Sequence, residues 1–157
     1  MLFQKMGVAA TFLVALGAQL AAQDKIVATL NAPERSEALK ASKDPEFVLR
    51  NFKTMSIVTR HVKSFSVNDL TAALERTAGF KDLGITIVDD PHLADVVLDV
   101  SYTFAWDYPF QLRHQNTTMV LLAGTGYGPF SGQLGATSVA WEFVRLAKRG
   151  RKAPANP

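Results

Sequence analysis

Residues 66–101 read SVNDLTAALERTAGFKDLGITIVDDPHLADVVLDVS, and this run decides the fold. Ser66 is followed three residues later by Asp69, the spacing at which two side chains cap a helix start reciprocally. Val67, Leu70, Ala73 and Leu74 fall on one face at helical spacing, so 66–78 reads as an amphipathic helix. Gly79 then supplies a residue at ease in the left-handed region, and Phe80 the apolar residue after it, as in a Schellman ending. From Gly84 to Asp89 the chain turns β-branched and reads as a strand. Asp90-Pro91 caps one turn through Ala94, since a proline at the first helical position loses no needed amide. Asp95 to Ser101 is the next strand.

Working outward, Lys53 to Thr59 alternates apolar and polar residues and is a strand ahead of the helix. Downstream, Tyr108–Arg113 and Thr118–Gly124 read as a hairpin turning at 114–117. A last helix is expected over 135–149, with Val139, Phe143, Leu146 and Ala147 as its apolar stripe. Strand, helix, two strands, hairpin and helix predict an α+β fold, a single mixed sheet of about five strands with two helices packed on one face. The domain is placed at 47–149. Residues 23–46 are expected to be a mobile leader segment with one short helix after Pro33. Residues 150–157 are expected to be a disordered basic and proline-containing tail. The run Lys148-Arg149-Gly150-Arg151-Lys152 reads as a solvated helix end whose charges meet the macrodipole.

The N-terminus carries a different signal. One positive charge, Lys5, precedes an uncharged run from Met6 to Leu16, then the small residues from Gly17 to Ala22, and the first acid is Asp24. This is the layout of a signal peptide over 1–22, which predicts a periplasmic or secreted product. A spanning helix wants roughly twenty apolar residues, and Gly17 and Gln19 interrupt this run, so no stable membrane span is expected after cleavage. There is no cysteine, which excludes a lipid-anchoring thiol, disulfides and thiolate metal sites. Removing the leader takes away Lys5 alone among charges, so the formal charge falls from +3 to +2. That mild balance, spread along the chain, does not call for nucleic acid.

The block from Gly79 to Val100, a Gly-Phe followed by a strand, Asp-Asp-Pro, then Ala-Asp and a hydrophobic run, resembles small secreted or periplasmic bacterial α/β domains. Those are the curli-secretion-channel and TolB N-terminal type and other envelope proteins. The likeness covers roughly 53–149 and rests on turn and cap residues, Gly79, Asp90, Ala94 and Asp95. It implies an envelope domain that binds other proteins, and it carries over no catalytic residue.

Candidate chemistry is thin. Gly124 to Gly135 holds five glycines between a strand and a helix, where phosphate loops occur, yet its spacing fits neither the dinucleotide nor the Walker pattern and Pro129 removes an amide. Asp89, Asp90, His92 and Asp95 crowd possible ligands together, but capping already explains Asp90. No Gly-x-Ser-x-Gly elbow is present, and Glu75 and Glu142 have no acidic partner for paired-carboxylate work. Tyr102, Phe104, Trp106, Tyr108 and Phe110 recur with period two, which puts five rings on one face of an extended segment. They would lie under the helices, or some would form a sticky surface or an oligomer seam. The expectation is a non-enzymatic protein-binding module without cofactor or metal. Its partner would be an unidentified envelope protein, contacted through Trp106, Tyr108, Tyr127 and Phe130. The alternative is a small-ligand or anion-binding protein, or an enzyme, using the Gly-rich loop 124–135.

Overall fold

The computed structural model describes residues 32–129 and 131–152. The expected signal peptide, Phe130 and the last five residues lie outside them. Five strands form one mixed sheet: β1 (Thr54–Arg60), β2 (Thr86–Ile87), β3 (Val96–Ser101), β4 (Asp107–His114) and β5 (Val120–Tyr127). Their order is β2-β1-β3-β4-β5. The first three run parallel, and β4 and β5 turn back as the expected hairpin. Alternation puts Met55, Ile57, Leu98, Val100, Phe110 and Leu112 on the buried face.

Four helices accompany the sheet among the described residues, where the sequence suggested two beside one short upstream helix. They are α1 (Ala32–Ala41), α2 (Pro45–Asn51), α3 (Val67–Arg76) and α4 (Gly132–Lys152). The start of α2 obeys the rule already applied at 90–91. Asp44 accepts from the amides of Glu46 and Phe47 at 2.9 and 3.2 Å, with Pro45 in the first turn. Phe47, Val48, Leu49 and Phe52 are then buried, and so is Leu39 on α1. The carbonyl of Leu39 lies 2.9 Å from Nε2 of the buried His114. The segment from residue 32 is therefore docked on the domain, which corrects its reading as a mobile leader and moves the boundary ahead of residue 47.

At α3 the capping box forms as expected. The Ser66 amide donates to Asp69 Oδ2 at 2.8 Å and the Asp69 amide donates to Ser66 Oγ at 3.2 Å. The helix stops at Arg76, before Ala78, because Thr77 is extended and its hydroxyl donates to the Ala73 carbonyl at 2.8 Å. Gly79 is left-handed (φ +86°) as expected, but it serves the turn in which the Phe80 amide bonds to the Thr77 carbonyl. The Schellman closure on the helix is thus replaced by a separate turn.

The last helix begins three residues earlier than predicted. Ser131 Oγ accepts from the Leu134 amide at 3.2 Å and its carbonyl from the Gly135 amide. The helix also continues to Lys152, so residues 150–152 belong to it and not to a tail. Arg151 is no solvated end. Its Nε donates to the Leu49 carbonyl at 3.1 Å, Nη2 to the Phe52 carbonyl at 2.9 Å and Nη1 to the Leu83 carbonyl, and its guanidinium lies 4.4 Å from the Phe52 ring centre. Burial lowers its pKa to about 10, which leaves it charged at neutral pH.

Candidate functional site

The period-two aromatic run is broken where β3 hands over to β4. Residues 104–106 form a kinked, non-helical turn in which Ala105 (φ +70°) and Trp106 (φ +68°) both sit in the left-handed region. A non-glycine residue pays about 1–2 kcal/mol for that conformation. Two bonds enforce it: the Thr103 amide to the Asp107 carbonyl at 3.0 Å and the Gly128 amide to the Trp106 carbonyl at 3.2 Å. Side-chain parity survives the kink, since Tyr102, Tyr108 and Phe110 keep the face of Val100, but Phe104 and Trp106 lie within the turn and leave the strand pattern. Tyr108 and Phe110 go into the core, while Phe104 stands 93% exposed with Tyr102 and Trp106 partly exposed beside it. Tyr127, 58% exposed, joins them, because β5 pairs Tyr127 with Asp107 just past the turn. Four exposed rings from two segments thus lie at one end of the sheet, with Tyr102 on the face of Tyr108 and Tyr127 on the opposite one.

Of the four residues singled out in the sequence, Trp106 and Tyr127 lie in this tip and Phe130 lies outside the described residues. Tyr108 has no surface to offer a partner. It is fully buried, its ring stacks at a tilt on Phe65 (5.1 Å) and Tyr102 (5.5 Å), and its hydroxyl is 2.9 Å from Ser64 Oγ. Its role is to support Tyr102 from below. Phe104, the most exposed ring, was missed as a site residue: alternation treats it the same as Trp106 and Tyr108 and carries no signal of the kink that turns it out.

Behind the tip, the sheet face opposite the core residues carries a groove of about 530 Å³. Register explains its lining. Arg60, Ser101, Pro109 and Thr125 form one row across four strands, and Asp99, Gln111 and Ala123 the next. Arg60 Nη2 lies 3.0 Å from Asp99 Oδ2, and Arg113 pairs with the same oxygen. One carboxylate between two guanidiniums leaves a local charge of +1. The Arg113 Nε is buried with no hydrogen-bond partner, a donor whose lost hydration nothing in the protein offsets. None of this was legible in sequence, since Arg60, Asp99 and Arg113 meet only through strand register.

The other candidates resolve into structure. The glycines of 124–135 are sites of close approach, between β5, β4 and α4 and, at Gly132, against the Ser64 backbone in the loop before α3. A Cβ on Gly126 would lie 2.6 Å from the Val139 amide nitrogen, and one on Gly128 would strike the Gly135 backbone. Among 89–95, Asp90 caps the turn Pro91–Leu93 by accepting from the His92 amide at 2.9 Å. Asp95 is buried and accepts from Ser36 Oγ (3.1 Å) and from the Lys53 and Thr54 amides (2.9 and 3.0 Å). Among the described residues, no three His, Asp or Glu side chains gather closely enough to hold a metal ion. No described helix is long and apolar enough to cross a membrane. The chain matches no family model, no curated protein and no solved structure.

Proposed function

We propose that this chain is a non-enzymatic module of the bacterial envelope or the secreted fraction that acts by binding another protein through the aromatic tip. The observation that carries the reading is Phe104, held 93% exposed by two consecutive strained residues at the end of the sheet where Tyr102, Trp106 and Tyr127 are also exposed. Strain of this kind persists only where surrounding bonds impose it, and it gathers where a surface has work to do. Aromatic side chains that protrude into water are the commonest anchors of protein interfaces. The leader over 1–22 and the resemblance to small envelope domains supply the compartment. Photo-cross-linking from position 104, followed by titration with the captured protein, tests the reading. Burying one phenylalanine is worth roughly 2 kcal/mol, so Phe104→Ser should weaken binding about 30-fold with unchanged melting. Equal affinity for the wild-type chain and the Phe104→Ser variant would refute it.

A second reading, small-anion binding, is favoured by the cationic groove more than by the Gly-rich loop as a cradle. Gly124 and Thr125 line that groove, whereas the Ser131 side chain and carbonyl occupy amides at the start of α4. Titration with inorganic phosphate, comparing wild type with a variant of the groove's lining cation, Arg60→Gln, separates this reading from the first.

A further inference from the structure

Helix α4 buries Gly135, Ala136, Val139, Ala140, Phe143, Val144 and Ala147. Its opposite side is an exposed stripe of Leu134, Thr137, Trp141, Arg145, Arg149 and Lys152, spaced by three or four residues and so running straight along the helix. The stripe spans about 27 Å at 1.5 Å per residue, and its composition changes along its length. The N-terminal half presents Leu134 (52% exposed) and Trp141 (61% exposed), and the C-terminal half presents cations. The helix carries five basic residues and a single acid, Glu142. Glu142 is occupied by Arg145, whose hydrogen bond lowers the carboxyl's pKa despite partial burial. Lys148, beside the stripe, is paired with Asp82 at 3.0 Å. The exposed stripe of α4 therefore offers two large apolar side chains and, beyond the mutually neutralised Glu142–Arg145 pair, two cations at its C-terminal end, Arg149 and Lys152.

We infer that α4 is a docking surface for an anionic lipid bilayer, lying along the membrane plane. An indole and a leucine followed by arginine and lysine is the arrangement that settles at the headgroup level, the apolar groups toward the acyl boundary and the cations on the lipid phosphates. A phosphate backbone alone would satisfy the cations and leave Trp141 and Leu134 without a partner. The buried side of α4 is committed to the core, so the contact is lateral, and the aromatic tip is not part of it.

The test uses the full chain with vesicles of phosphatidylcholine alone or containing phosphatidylglycerol. Co-sedimentation should rise with the anionic lipid and fall at high salt, and brominated lipid should quench tryptophan emission. Each basic residue at an anionic surface contributes on the order of five-fold to partitioning. Arg149→Gln with Lys152→Gln should therefore reduce it roughly 25-fold, and Trp141→Phe should remove most of the quenching. All three residues are exposed, so melting of the variants should match wild type. Equal partitioning onto neutral and anionic vesicles overturns the inference, as does partitioning unchanged by the double charge variant. Retention on DNA without retention on anionic vesicles overturns it in favour of a polyanion. Because the tip is untouched, the outcome is independent of protein binding at Phe104.

Discussion

Arg151 should be among the most destabilising positions in the chain to lose. Its guanidinium donates to the carbonyls of Leu49, Phe52 and Leu83, so one side chain from the end of α4 ties together α2, the entry to β1 and the turn before β2. A hydrogen bond from a charged donor contributes about 1.5–3 kcal/mol, and a buried carbonyl left unpaired costs about 1–3 kcal/mol. The site is half-buried, so water rescues part of the loss, and the three bonds are not additive. The expected cost of Arg151→Met, which keeps a stem to pack on Phe52, is therefore about 3 kcal/mol. In a chain of this size that lowers the melting temperature by roughly 10 °C. Arg151→Lys retains the charge but has no fork for three acceptors, and should lie between the two. Urea unfolding of the three proteins measures the differences, and amide exchange adds a local readout, since the last turn of α4 and the end of α2 should lose protection together. If Arg151→Met lies within about 0.5 kcal/mol of wild type, the range of an unremarkable surface change, the three carbonyl contacts are not holding the domain together.

Gly126→Val should cost at least about 2–3 kcal/mol by overpacking, because the added atoms meet the Val139 backbone 2.6–2.9 Å away; a urea midpoint equal to wild type would contradict the close approach. Asp95→Ala leaves the Lys53 and Thr54 amides and Ser36 Oγ without their acceptor and should cost about 3 kcal/mol, read as a lower midpoint with faster exchange of those two amides. Asp69 has a lowered pKa because the Ser66 amide, then its hydroxyl, bonds the carboxylate, and Glu142 is lowered by Arg145. Groups depressed in the folded state stabilise it above the ordinary carboxylate pKa and lose that contribution as pH falls through their folded values, so stability should decline below about pH 4. Asp69→Asn should flatten part of that decline in melting temperature, and an unchanged acid slope would exclude the capping box as its source.

What could be read from sequence was what depends on neighbours a few residues away. Ser66 and Asp69 cap α3 because both partners lie within one turn, and Asp90 with Pro91 sets its turn for the same reason. The alternation of 96–101 likewise settles which side of β3 is buried. Asp44-Pro45 carried the same signal as Asp90-Pro91, yet α2 was not read there because the polar stretch before it suggested no core to pack against. Its partner is α4, about a hundred residues away.

The failures share one physical cause, which also bears on function. Arg151 looked like one more charge in a basic run because its acceptors, at 49, 52 and 83, are invisible until α4 is placed over them. The glycines of 124–135 gave no reading for the converse reason: a missing side chain signals mobility or close packing alike, and only the placement of α4 against β5 and β4 chooses between them. The aromatic run misled by a single local event, since no propensity places Ala105 and Trp106 in the left-handed region. Yet that event separates the two rings that stabilise the core, Tyr108 and Phe110, from those turned out at the tip. A regular strand would have aimed all five rings at the same side. The strained turn is what lets one short stretch of sequence supply both the floor of the core and exposed aromatic rings at the end of the sheet.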